Sequence, residues 1–175
     1  TAQLEKKWQL RHKDDEDTAQ DRHVNRMKVF PLISTSCMSV GDAMRVVYDE
    51  GVISSDFVLI TGDTVASFNL KDAIQEHKKR RKQDKSSIMT MVVKEGKSRA
   101  LRKRWGTHDL VLQVDPTTKQ IIGYEDERNS KSYVTLDVAS AFYDRSQVAV
   151  REDLIDCYVD ICAPEVLGLF QDNFD

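Results

Sequence analysis

The sequence predicts an α/β domain built on a doubly wound, mainly parallel sheet of Rossmann-like character, with antiparallel additions in its second half. Three observations carry this. Two apolar runs, "FVLIT" (57–61) and "SIMTMVVK" (87–94), flank a stretch of helical period that opens at Asn69, the order expected of a strand–helix–strand crossover. The first run ends on Gly62 and Asp63, where open parallel sheets gather ligands beyond their strand ends. The length of 175 residues, 40% of them apolar, suits one hydrophobic core rather than two.

Residues 1–28 are dense in charge, with "KDDED" at 13–17, and are expected to form a short helix around Leu4–Leu10 followed by a charged loop. The domain proper is expected over 29–175. "MKVFPLIST" (27–35) reads as a strand, with Pro31 marking an edge or a bulge. Ser39 and Asp42 have the spacing of a capping box. Ala43, Met44, Val47 and Tyr48 then share a helical face, and Gly51 closes the helix.

"FVLIT" and "SIMTMVVK" are apolar on both alternating faces, as in strands covered on both sides, so a charge at Ile60 is expected to unfold the domain. Between them Asn69 caps a helix whose inner face is Leu70, Ala73, Ile74 and His77. His77 therefore reads as a packed helix residue rather than a ligand. The run "HKKRRK" (77–82) ends that helix, where cations offset the negative end of its dipole. It reads as a solvated helix end, with an anion contact as the other reading.

Past residue 109 the pattern changes. "LVLQVD", "PTTKQ" and "IIGYED" (110–126) read as a hairpin with Pro116 in the turn. "SYVTLDV" (132–138) and "YVDIC" (158–162) are further strands, and Pro164 sits in the first turn of a closing helix, "APEVLGLF".

Charge is abundant but balanced: 26 basic and 29 acidic residues leave a net −3, so neither a nucleic-acid nor a membrane partner is expected. Five basic residues and Trp105 in "KSRALRKRWGTH" (97–108) form a basic loop, read as a solvated insertion. A weak, salt-sensitive grip on RNA is its other reading. Cys37, Cys157 and Cys162 form no C-x-x-C pair and are read as small packed residues. His12, His23, His77 and His108 have no metal-ligand spacing, and no nucleophile elbow is present.

Asp63 offers a hard oxygen of the kind Mg²⁺ prefers, and Gly62 a sharp turn. An alternative reading of the pair is an ordinary loop cap. Handling a triphosphate also needs a glycine-rich cradle. The glycines at 41, 51, 62, 96, 106, 123 and 168 never fall closer than ten residues apart, so this chain has no cradle.

The stretch 56–96, "DFVLITGDTVASFNLKDAIQEHKKRRKQDKSSIMTMVVKEG", resembles the nucleotidyltransferase family, in which a strand ending in Gly-Asp overlies a nucleotide-sugar pocket. "SVGDAMR" (39–45) and "REDLIDCYVDICAPEVLGLFQDNFD" (151–175) are similar to the epsilon-subunit family of eukaryotic translation initiation factor 2B, the catalytic subunits of the guanine nucleotide exchange factor for initiation factor 2. The resemblance covers roughly 29–175 and is poorest over 97–108 and 125–150. It implies an incomplete nucleotidyltransferase-like domain from a longer cytoplasmic subunit, with exchange activity in a C-terminal domain not included here.

Under that resemblance Asp63 matches the metal-binding aspartate of active nucleotidyltransferases, as a vestigial metal position. The family's opening glycine-rich loop would precede Thr1. The Glu-Lys-Pro expected after the hairpin is replaced near "YEDERN", and "DCYVDIC" lacks the glycine of the matching strand. These departures imply a non-enzymatic binding and assembly module with no catalytic residue, metal or cofactor. Asn173 and Phe174 match the Asn-Phe pair that the epsilon family uses against initiation factor 2, while packing of Phe174 beneath its helix is the plainer reading. The implied partners are the gamma subunit, initiation factor 2 and the other exchange-factor subunits. The alternative is a fragment of a sugar-phosphate nucleotidyltransferase, similar to mannose-1-phosphate guanylyltransferases, working with Mg²⁺ and a nucleoside triphosphate.

Overall fold

A computed structural model of the chain describes residues 29–96, 110–126 and 137–172. The chain divides into two units, residues up to Ile33 and Ser34–Asp175, and every element below lies in the second. In chain order these are α1 (Val40–Asp49), β1 (Phe57–Ile60), α2 (Leu70–Gln83), β2 (Met89–Glu95), β3 (Leu110–Val114), β4 (Ile121–Asp126), α3 (Val138–Ala141), β5 (Ala149–Arg151), β6 (Leu154–Cys162) and α4 (Glu165–Asp172). The predicted helix at 4–10 and the basic loop at 97–108 lie outside the described residues.

The local signals produce the expected helices. Ser39 is the N-cap of α1, accepting from the Asp42 amide at 3.1 Å, while the Asp42 carboxylate accepts from the Ser39 amide at 3.0 Å. Gly51, at φ 61°, closes the helix in the left-handed region that glycine enters without steric cost. The face is narrower than expected: Met44 is buried and Val47 half-buried, but Ala43 and Tyr48 are exposed. Asn69 caps α2 by accepting from the Lys71 amide at 3.2 Å.

The hairpin also forms. β3 pairs antiparallel with β4, and the Asp115 carboxylate holds the turn by accepting from the amides of Thr117 and Thr118 at 2.7 and 3.1 Å. Lys119 takes φ 64° to complete the turn.

The sheet departs from expectation. The described residues contain two three-stranded sheets, β1-β6-β2 and β4-β3-β5, and every pairing in them is antiparallel. The architecture is α/β, but the doubly wound, mainly parallel sheet is absent from these residues. β1 and β2 do run in the same direction, because both are antiparallel to β6. The α2 crossover thus has the predicted sense, and a strand from far along the chain enters between its two ends.

That insertion makes β6 the central strand of its sheet, and Leu154, Ile155, Val159, Ile161 and Cys162 along it are buried. Among the described residues β1 becomes an outer strand, and Ile60 is 51% exposed, so the expected cover on both faces is absent there. Residues 29–35 form no strand, consistent with the ladder donor that Pro31 removes. Asp137 and Val138, expected to end a strand, instead cap and begin α3.

A core cluster joins Leu110 and Leu112 of β3 to Leu154 of β6, and Met91, Val93 and Val114 pack against it. α1 and α4 pack on each other, with Val166 and Leu167 of α4 buried.

Candidate functional site

The carboxyl end of β1 leads into the turn that carries Gly62 and Asp63. The Thr64 amide donates to the Thr61 carbonyl at 3.1 Å, and the two threonine hydroxyls lie 2.5 Å apart. Gly62 is exposed, has no left-handed φ, and leaves open space around a would-be Cβ. The turn therefore does not require glycine, and the backbone makes no close approach there within the described residues. Asp63 is exposed as well. Among the described residues no group of three His, Cys, Asp or Glu side chains comes together to hold a metal ion.

The neighbour of this turn is an irregularity in β6. The Thr61 amide donates to the Tyr158 carbonyl at 3.4 Å. Pairing with β2 shifts register between Met91 and Val93, whose partners are Asp160 and Asp156, so β6 bulges over the intervening residues. Tyr158 sits in that bulge at φ 53°, a conformation that costs an L-residue with a large side chain roughly 1–2 kcal/mol. The Asp156 carboxylate accepts from the Tyr158 amide at 2.7 Å and offsets part of that cost.

Asp160 lies directly between Leu59 of β1 and Met91 of β2 in the paired register. Directly opposed residues of an antiparallel ladder share a face, so the carboxylate is flanked on both sides by apolar side chains. Its Oδ1 is buried and has no hydrogen-bond partner among the described residues. Burial, reinforced by the negative charge of Asp156, pushes the Asp160 carboxyl up to about 6. Burial also raises the thiols of Cys157 and Cys162, the latter to about 12, so both stay protonated and unreactive at neutral pH.

The opposite face of β1-β6-β2 meets α2. Thr90 of β2 is 6% exposed, and its hydroxyl lies 2.8 Å from His77 Nδ1. His77 is fully buried, and its Nε2 points toward Asp56 at 3.9 Å. At 3.9 Å the Asp56 contact is too long for a hydrogen bond, and Nε2 has no hydrogen-bond partner among the described residues, so the buried His77–Thr90 bond serves as a tether between helix and strand. Desolvation holds His77 below its ordinary pKa, and Arg81, Arg80 and Lys78 add to this while Asp56 opposes it.

The basic run is more engaged than a solvated helix end. Arg81 is 14% exposed, lies 3.6 Å from Asp56, and donates to Glu165 at 3.0 Å, joining α2 to the first turn of α4.

Sequence reasoning placed Asn69, the Ser39–Asp42 box and the packed His77. It missed Asp160, whose burial depends on which strands flank β6, and the Arg81 link to Glu165 across 84 residues. Asn173 and Phe174 lie outside the described residues, directly after the end of α4.

Comparison with known proteins gives the chain its place. No family model matches it. It is 43% identical over 150 residues to the translation initiation factor eIF2B subunit epsilon of Dictyostelium discoideum, covering 85% of this chain and 21% of that protein. To the epsilon subunit of Schizosaccharomyces pombe it is 42% identical over 144 residues, or 82% of the chain and again 21% of the relative. The chain thus spans about a fifth of the length of these curated relatives. Identity at this level over most of its length makes the chain a segment of the eIF2B epsilon family.

Proposed function

We propose that this chain is a binding and assembly module of the exchange-factor subunit that acts on translation initiation factor 2, and that it performs no nucleotidyl transfer of its own. Its role in translation initiation rests on the 43% identity to an eIF2B epsilon subunit over 85% of the chain. The same-direction strands β1 and β2 around α2, followed by the β3–β4 hairpin, fit part of a nucleotidyltransferase-like domain.

The observation that carries the non-catalytic reading is the strand β6: the resemblance implies a glycine in the matching strand of active nucleotidyltransferases, whereas "DCYVDIC" has none and its one left-handed residue is Tyr158, at φ 53°. Asp63 stands on an exposed turn, outside any group of three His, Cys, Asp or Glu side chains among the described residues.

In this reading the module joins the gamma subunit and the other exchange-factor subunits in the cytoplasm, meets initiation factor 2 through Asn173 and Phe174, and leaves nucleotide exchange to a C-terminal domain outside this chain. Among the described residues no helix is long and apolar enough to cross a membrane. The test pairs two titrations of the purified chain, one with initiation factor 2 and one with Mg²⁺, GTP and mannose 1-phosphate. Binding to the factor without turnover of the nucleotide is expected; turnover would restore the guanylyltransferase reading.

A further inference from the structure

Three features that each weaken the fold gather at one place on the surface. Tyr158 holds a left-handed backbone, φ 53°, in the bulge of β6, a conformation that disfavours a large L-side chain. Asp160, two residues on, keeps a buried Oδ1 without a hydrogen-bond partner among the described residues, and an unmet buried acceptor costs stability. The charge that acts on its carboxyl is the negative one of Asp156, and like charges repel. Local costs that persist together mark a place kept for a use other than folding.

Asp156 joins these features to a second strand pair. Its Oδ1 accepts from the Tyr158 amide at 2.7 Å, and its Oδ2 lies 3.5 Å from the Tyr124 hydroxyl. Two tyrosines, 44% exposed at 124 and 37% at 158, therefore stand beside two carboxylates where solvent reaches them. Leu59 and Met91, paired with Asp160 on either side, give the carboxylates an apolar border. Arg151 of β5 and Tyr124 of β4 both pair with Leu112, so they share a side of their sheet. The Arg151 guanidinium is engaged elsewhere, by Asp153 at 2.7 and 2.8 Å and by Glu95 at 3.2 Å.

The group that answers this arrangement is a planar cation on an apolar stem. A guanidinium donates to a carboxylate in a fixed fork and lays its face on an aromatic ring, and a lysine ammonium does both less well. The methylenes of an arginine rest against side chains such as Leu59 and Met91. Two carboxylates repel nucleic acid and other anions, which leaves a protein with an exposed arginine as the complementary partner. We propose that Tyr124, Asp156, Tyr158 and Asp160 form an interaction surface that takes an arginine side chain of a protein partner. The surface is separate from Asn173 and Phe174, and it stands whether or not that pair binds initiation factor 2.

The test is a nuclear magnetic resonance titration of the ¹⁵N-labelled chain at pH 7.5 with the peptide acetyl-Gly-Leu-Arg-Leu-Gly-amide, and with versions that carry lysine or the uncharged isostere citrulline in place of the arginine. The arginine peptide should shift the amides of Tyr124, Asp156, Tyr158 and Asp160 saturably. It should bind about tenfold more tightly than the citrulline peptide and about threefold more tightly than the lysine one. Asp160→Asn should weaken it about fivefold or more while melting higher than wild type, opposite movements that a merely structural aspartate does not give. Tyr158→Gly keeps the left-handed turn without its ring and should weaken binding by a similar factor. No saturable shift up to about 20 mM peptide, shifts centred on other residues, equal binding of the lysine or citrulline peptide, or wild-type affinity in either variant overturns the proposal. Should Tyr158→Gly fail to fold, Tyr124→Ala carries the ring comparison, and unchanged affinity there overturns it as well.

Discussion

Asp160→Asn should stabilise the protein at neutral pH and do nothing in acid. The carboxyl is pushed from 3.8 to about 6 by burial and by Asp156, with Leu59 and Met91 on either side. A shift of about 2 units at 1.36 kcal/mol each sets a ceiling near 3 kcal/mol. The residue as a whole is half-buried, so screening through its less buried side reduces this to about 1 kcal/mol, or roughly 2–4 °C in Tm for a domain of this size.

The sign follows from linkage. Because the folded pKa lies above the unfolded one, the wild type has its full stability below about pH 4 and loses it as pH rises through about 6. His77 tilts the other way: its folded pKa is lowered, so its contribution is lost as pH falls below the ordinary histidine range. The two slopes partly cancel in the wild type. The assay is therefore the difference in Tm between Asp160→Asn and wild type, scanned from pH 4 to 8. It should be near zero at pH 4 and positive by about 2–4 °C above pH 7. A variant that melts at or below the wild type at pH 7.5 would refute the reasoning, since it would mean that the carboxylate is satisfied where the geometry leaves Oδ1 unpaired.

Three other perturbations probe the fold and the site. Gly123→Ala should cost about 1–3 kcal/mol by chemical denaturation, because the new Cβ would lie 3.1 Å from the buried side chain of Gln113 on the paired strand; an unchanged midpoint would mean that Gln113 moves freely. Ile60→Asp should give a folded protein with a cooperative melt, weakened by about 1 kcal/mol, since the residue is half exposed on an outer strand; an unfolded product would put β1 back inside a covered sheet. Asp63→Ala should melt like wild type with or without Mg²⁺ and GTP, whereas a Mg²⁺-dependent shift that requires Asp63 would return nucleotide chemistry to this turn.

Features set by neighbours three or four residues apart were legible in the sequence. The Ser39–Asp42 box, the Asn69 cap, the Pro116 turn and the packed His77 all depend on local geometry that residue type and spacing determine. The sheet was not legible, because the α2 crossover fixes the direction of β1 and β2 but not whether they touch. A strand about 60 residues beyond β2 could insert between them without leaving a mark on either one. Everything downstream of that insertion was equally hidden, including the outer position of Ile60, the sandwiched Asp160 and the Arg81 bridge to Glu165. The contact from Arg45 to the Phe170 carbonyl spans 125 residues and uses a backbone acceptor, which residue identity cannot advertise.

The central claim is that this segment of the eIF2B epsilon family binds rather than catalyses, with Phe174 as its anchor. Calorimetry of purified initiation factor 2 with the wild-type chain and with Phe174→Ala tests it most directly. The account predicts measurable binding by the wild type and a loss of about tenfold or more in the variant, ~1.4 kcal/mol. Equal affinities, or no binding by the wild type, would contradict it.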